Sequence, residues 1–269
     1  MTFQFDHFIH FVNSPDKALE AYGALGLHAV EGGRHENHGT FNALSYFGLS
    51  YVELIGVFNK EALTNVSEEY SLRKTIVESD FEEGGARIAL RSENLLADAE
   101  RFRKLGLDVV GPTDLSRRRP DGSLISWQLL FVGKQGEYPE LPFFIQWDES
   151  DEERLIDLTE RETIADHPIG NVELSAVGVA VKDISTVTEK WSKYLQLEVG
   201  DSFVDDSLNA RAQILKLQGG NIVFYEPLGV GKVKEILDTH GEKPFLLELK
   251  NDKEEKEINV FGAIYRFKK

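Results

Sequence analysis

Residues 6–27, DHFIHFVNSPDKALEAYGALGL, change periodicity within a few positions, and that change decides the fold. Over 7–12 the run is a short apolar strand. Strand alternation sets His7, Ile9 and Phe11 on one face and Phe8, His10 and Val12 on the other. Ser14-Pro15-Asp16 then reads as a helix start: a capping hydroxyl, a proline in the first turn, an acidic residue after it. Ala18, Leu19, Tyr22 and Leu25 return at helical spacing, and Gly26 stops the helix. Strand-like runs follow at 43–47 and 51–57, separated by Gly48-Leu49-Ser50.

The same grammar recurs downstream. A second unit opens with a strand over 86–91. Its helix starts near Ser92-Glu93-Asn94, carries Leu95, Leu96, Ala99, Phe102 and Leu105, and ends at Gly106. Strands are expected at 107–110, 123–132 and 143–147. A third unit opens over 174–181, with a helix over 183–195 and strands at 198–204, 210–217 and 221–225. After it come a helix over 230–239, a strand over 244–250 and a long strand over 258–267. The fold class is therefore α+β: three βαβββ units and a truncated fourth. The expected organisation is a two-unit domain over 1–150, an acidic linker over 151–170, and a second part over 171–269. Residues 148–162 (DESDEERLIDLTERE) hold eight acidic residues against two arginines, which reads as a solvated linker or surface helix.

Composition bounds the chemistry. The chain has 269 residues, 41% hydrophobic and 28% charged, enough for a sizeable core. Thirty Lys+Arg against 46 Asp+Glu give a net charge of −16, which disfavours nucleic acid and anionic membranes as partners. There is no cysteine, so disulfides, thiolate metal sites and thiol nucleophiles are excluded. No run is long enough to span a bilayer and the N-terminus lacks signal-peptide features, so a cytoplasmic location is expected. Gly229-Val230-Gly231-Lys232 is half a phosphate loop without its leading glycine or trailing hydroxyl. No GxSxG, HExxH or dinucleotide fingerprint occurs.

The strand Asp6–Val12, the following helix and Tyr51-Val52-Glu53-Leu54-Ile55-Gly56 resemble the vicinal oxygen chelate superfamily, and within it the glyoxalase-like domain family. The supporting motifs are Gly33-Arg34-His35, Gly39-Thr40 with Asn42, Arg119-Pro120-Asp121-Gly122 with Trp127, Leu141–Trp147, and His167-Pro168 with Gly170. Together they cover roughly residues 5–182. The resemblance implies paired modules whose curved mixed sheets close into a cup with the site inside. It also implies metal ligands on the first and last strands: His7 and Glu53 in unit one, with Zn, Mn, Fe or Ni as the divalent ion. In unit two the same mapping gives Ala86, which cannot ligate, and Gln146, a weak ligand or substrate orienter. In unit three it gives Ala176 and Glu226, a decayed pair.

Several residues keep two readings. His7 and Glu53 form either a metal-holding or acid–base pair, or a buried hydrogen-bonded pair. His35 is a candidate acid/base, with Glu53, and His35 and Asn42 fall in the motif that lines the cup. His35 and His38 stand at HxxH spacing on a Gly-rich loop (31–40), which either brings both to a metal or leaves His38 as loop chemistry, and His10 is expected to pack under the helix. Arg117 and Arg119 either clamp an anionic substrate or brace a Pro-Asp-Gly turn. Trp127 is either a wall for a ring-bearing ligand or core. The functional expectation is a metal-assisted isomerase, lyase or ring-opening enzyme acting on a small anionic organic molecule. The alternative is a metal-free protein that sequesters a small molecule. A homodimer stays open.

Overall fold

The computed structural model describes residues 3–64, 68–119 and 121–269. Each expected unit opens as predicted. Strand β1 (Gln4–Phe11) runs into helix α1 (Pro15–Ala24), β5 (Gly84–Arg91) into α4 (Leu95–Lys104), and β9 (Val172–Ala180) into α6 (Ile184–Leu195). Each helix is capped by a side chain accepting a backbone N–H of the first turn: Ser14 from Lys17, Asn94 from Ala97, Asp183 from Thr186. These caps satisfy donors that the helix itself leaves unpaired.

The strands form two mixed sheets. The first has eight strands in the order β2-β3-β4-β1-β5-β8-β7-β6. It uses β2 (Val30–His35), β3 (Thr40–Phe47), β4 (Ser50–Val57), β6 (Asp108–Arg118), β7 (Leu124–Gly133) and β8 (Phe143–Trp147). The second has seven in the order β10-β11-β12-β9-β13-β15-β14, with β10 (Val199–Asp205), β11 (Ala210–Leu215), β12 (Asn221–Pro227), β13 (Pro244–Asn251), β14 (Lys256–Val260) and β15 (Ala263–Lys268). The truncation of the fourth unit is literal. Between β13 and β14 there is no helix, and one strand is missing.

Three expectations change. The glycine-rich segment around Gly32-Gly33, read as a loop, is strand β2, because it pairs antiparallel with β3 in the register Gly33↔Asn42 and His35↔Thr40. The arginine segment is the end of β6, which continues to Arg118. Pro120 of its turn lies outside the described residues. The long strand expected over 258–267 is a hairpin, since Phe261 (φ 41°) and Gly262 (φ 80°) take left-handed conformations that reverse the chain.

One apolar cluster runs between the two sheets and the three module helices. It holds Phe5, Phe8, Tyr22, Phe102, Val177, Trp191, Leu247 and Phe267, all buried. At its rim the sheets approach at glycine. A Cβ at Gly85 would stand 2.5 Å from the Pro244 carbonyl oxygen and 2.9 Å from Phe8. Since the obstacle is backbone of the other sheet, Gly85→Ala is expected to destabilise by about 2 kcal/mol. Urea unfolding checks this, and an unchanged midpoint would show that the sheets can part there.

The opposite face of each sheet is concave, and the two faces differ. On the second sheet it is filled: Val233 and Ile236 of α7 (Lys232–His240) pack among Ala176, Ala180, Ala212, Val223 and Tyr225. On the first sheet α2 (Lys60–Thr64) and α3 (Leu72–Glu78) cover one end, where Leu63 and Ile76 pack among Ile9, Phe11 and Ile55, and the rest stays open. Among the described residues no helix is long and apolar enough to cross a membrane.

Candidate functional site

The open concave face encloses a cavity of about 530 Å³, floored by β1, β4, β7 and β8. Its base is built from adjacent residues of β1. A register shift in the β1–β5 ladder between Phe5 and His7 brings Asp6 and His7 together. Asp6, fully buried, accepts a 2.7 Å hydrogen bond from His7 Nδ1. Its other oxygen accepts from Trp147 Nε1 at 3.1 Å and Arg91 Nη1 at 3.2 Å. Burial alone would raise the Asp6 pKa. The His7 bond and the charges of His7, Arg154 and Arg91 outweigh it and hold the carboxyl well below the usual range. The His7 ring stacks on Tyr51 at 4.5 Å, and Tyr51 on Tyr46 at 4.6 Å. Burial raises both phenols, Tyr46 to about 12, so they face the cavity neutral.

Glu53, on β4, stands opposite Ile9 of β1, and its Oε2 lies 3.6 Å from His7 Nε2. Asn42 Nδ2 donates to Glu53 Oε1 at 2.5 Å, while Asn42 Oδ1 accepts the Gly33 N–H at 2.8 Å. Both ends of Asn42 are thus engaged, and it orients Glu53. His35 Nδ1 meets Thr40 Oγ1 at 3.1 Å, and Nε2 makes no hydrogen bond among the described residues. Burial lowers the His35 pKa, partly offset by the Glu53 charge, so the ring is neutral near pH 7. His38 also borders the cavity, but its ring centroid is 6.4 Å from that of His35 and the two do not converge.

Strand parity corrects one candidate. Ile145 and Trp147 face the cavity, so Gln146 between them faces the other way, where its Oε1 accepts the Leu95 N–H at 2.8 Å. It helps start helix α4 and does not reach the cup. Three module correspondences shift as well. Counted back from the caps Ser14, Asn94 and Asp183, the residue seven positions upstream is His7, Arg87 and Ala176. Arg87, not Ala86, therefore holds the second position, buried and paired with Glu140 at 2.8 Å. The position matching Glu53 is Phe143 in unit two, opposite Ala89. In unit three it is Val223, opposite Gly178, rather than Glu226, which pairs with Arg211.

Arg117, Arg119 and Trp127 all border the cavity. Arg117 Nη1 donates to Gly32 O at 2.7 Å, bracing β2. Arg119 Nη2 reaches Asp157 of helix α5 (Asp151–Glu160) at 2.6 Å, and Asp157 also binds Arg161, which in turn holds Asp121. The turn is thereby latched to α5 at the mouth. Trp127 lies 5.8 Å from Trp147, centroid to centroid, and the pair forms an apolar wall. His10, on the helix side as alternation requires, donates through Nε2 to Phe261 O at 2.9 Å and accepts from Tyr265 at 2.7 Å. His167 accepts the His28 N–H and donates to Tyr46 O, pinning its segment to β3.

Sequence reasoning missed Asp6, Tyr46, Tyr51 and Arg154. Asp6 could have been found from its place beside His7. Arg154 of α5 lies within the acidic run, and no local pattern separates it from a solvated helix residue.

A family model described as a glyoxalase-like domain matches residues 5–195. Among solved structures, a hypothetical protein from Staphylococcus aureus is 25% identical, with 99% of each chain covered and a TM-score of 0.81. A mutant of 4-hydroxymandelate synthase from Streptomyces coelicolor is 12% identical, covering 94% of this chain and 72% of that one, with a TM-score of 0.60; it shares the fold. Among curated proteins, no sequence matches. With the match spanning most of the sequence and the paired modules in place, the chain belongs to the glyoxalase-like domain family of the vicinal oxygen chelate superfamily.

Proposed function

We propose that the protein is an enzyme acting on a small organic anion in the open cup, with a divalent cation held between His7 and Glu53. One observation carries this reading. Nδ1–H of His7 is committed to Asp6, so in the neutral ring Nε2 is an unprotonated acceptor, and it faces the Glu53 carboxylate at 3.6 Å. Two acceptors at that separation call for a cation between them. A carboxylate behind the histidine is also the usual outer partner of a metal-bound imidazole.

The donor set is short. The positions that would supply a third ligand are Arg87 and Phe143, and among the described residues no three His, Cys, Asp or Glu side chains converge. His7 and Glu53 would hold the ion, and water and substrate oxygens would complete it. Such an ion supplies Lewis-acid stabilisation of an oxyanion or enolate. The chain's own residues do the rest. Asn42 fixes Glu53, the Trp127–Trp147 wall excludes water, and neutral His35 is placed to accept or return a proton.

The test is metal content by mass spectrometry after loading with Zn, Mn, Fe(II) or Ni. Wild type is expected to retain close to one ion per chain, and His7→Ala and Glu53→Ala to retain less than a tenth of it. Folded wild type that retains none overturns the metal-assisted reading. The two-member donor set favours the second reading in that case, a cup that sequesters its ligand without metal.

A further inference from the structure

Helix α5 places Arg154 against the cup from the acidic segment, and its environment is incomplete. The side chain is 3% exposed and borders the cavity. Its guanidinium lies over Trp147, 4.1 Å from the ring centroid. Its Nη1 is buried without a hydrogen bond among the described residues. The nearest carboxylate oxygen, Asp6 Oδ2, is 3.9 Å away and already accepts from Arg91 and Trp147. A buried guanidinium with an unmatched N–H is costly, and an anion brought by a ligand relieves that cost.

The other arginines bordering the cavity are engaged: Arg73 with Glu68, Arg117 with the Gly32 carbonyl, Arg119 and Arg161 with Asp157. Arg154 is therefore the open anion seat, rather than the arginine turn suggested by sequence. The ligand's charge is bounded too. Asp6 lies beside the seat and Glu53 lines the same cavity, which penalises a phosphate dianion and favours a monoanion. A planar carboxylate matches the guanidinium fork, and the tryptophan pair alongside suits an aromatic or otherwise apolar body.

We infer that Arg154 is the specificity-determining residue of the cup and takes the carboxylate of an apolar, ring-bearing monoacid. This rests on the reading of the cup as a site for a small organic anion. Asp6 lies 2.7 Å from His7 and 3.9 Å from Arg154, so a carboxylate on Arg154 sits close to the His7–Glu53 pair. Arg154 thus sets which atom of the ligand faces the His7–Glu53 pair.

The experiment compares benzoate, phenylacetate and 2-naphthoate with their primary amides, on metal-stripped and metal-loaded full-length protein. Binding is read by tryptophan fluorescence and by the shift in Tm. At least one acid is expected to bind ten-fold or more tighter than its amide. In Arg154→Met that preference is expected to vanish, the acid losing more affinity than the amide, and in Arg154→Lys to persist in reduced form. Failure of every acid to bind, equal binding of acid and amide, or an undiminished preference in Arg154→Met overturns the inference. If Arg154→Met does not fold, the wild-type comparison and Arg154→Lys decide. Metal content of the same samples separates the two proposals. Acid preference without retained metal upholds the seat and sinks the cation, and retained metal without acid preference does the reverse.

Discussion

A chain ending at residue 170 is expected not to fold, although it contains every residue of the cup. Three fully buried side chains of the first half show why. Phe5 lies against the Gly219–Gly220 turn, and its N–H donates to Gln218 O at 2.8 Å. Phe8 packs where Gly85 meets Pro244. Tyr22 meets Tyr265 edge-on, with a 2.6 Å hydrogen bond between the hydroxyls. Exposing such a side chain costs roughly 1.5–3 kcal/mol. The three together rival the ~5–15 kcal/mol that holds a typical domain folded. Circular dichroism and size-exclusion chromatography of the truncated chain should show loss of cooperative unfolding and aggregation. A soluble, monomeric, cooperatively melting fragment would show that the shared core contributes less than this.

The second large effect is a loss of stability in mild acid, centred on His10. Its Nε2–H donates to Phe261 O, so Nδ1 accepts from the Tyr265 hydroxyl, whose oxygen accepts from Tyr22. The chain is complete only with a neutral ring. Burial lowers the His10 pKa from 6.5 to about 4, partly offset by the Phe261 bond. Between those values the unfolded chain binds a proton that the folded one refuses, so stability rises with pH across the window. The contribution is fully present above pH 6.5, is lost progressively down to pH 4, and changes no further below it. The shift corresponds to about 3 kcal/mol. His35, His38 and His167, also lowered by burial, act in the same direction. In urea unfolding, His10→Gln should start less stable than wild type at pH 7. The gap should then narrow by about 3 kcal/mol by pH 4. Parallel curves would mean that His10 accepts its proton in place.

The fold was legible wherever a local rule was at work. Strand β1 and helix α1 announce themselves because apolar spacing changes from two to about three and a half and Ser14-Pro15 marks the change. Strand β2 stayed hidden because Gly32 and Gly33 carry no side chains to alternate, and only pairing with β3 defines it. The hairpin over 256–268 was invisible because nothing but Gly262 interrupts the strand-like residues from Ile258 to Phe267.

In the site, the meeting of His7 and Glu53 followed from the family pattern, and the structure places them on neighbouring strands. Gln146 failed by a single residue of parity, which is enough to turn a side chain from one face to the other. Arg154 could not be read at all. Its role depends on a helix folding back over a sheet that ends before it, and the surrounding acidic residues gave it the profile of an exposed face. The Tyr22–Tyr265–His10 chain is of the same kind, joining residues that lie more than 240 positions apart.

Helix α7 gives the repeat a consequence for stoichiometry. Seated by Val233 and Ile236 in the second cup, it is a tethered occupant whose effective concentration no diffusing ligand readily matches. Titrations of this protein should saturate at one equivalent per chain, despite its doubled architecture. Among the described residues, duplication has multiplied scaffold while leaving one cup filled and the other with room for a ligand.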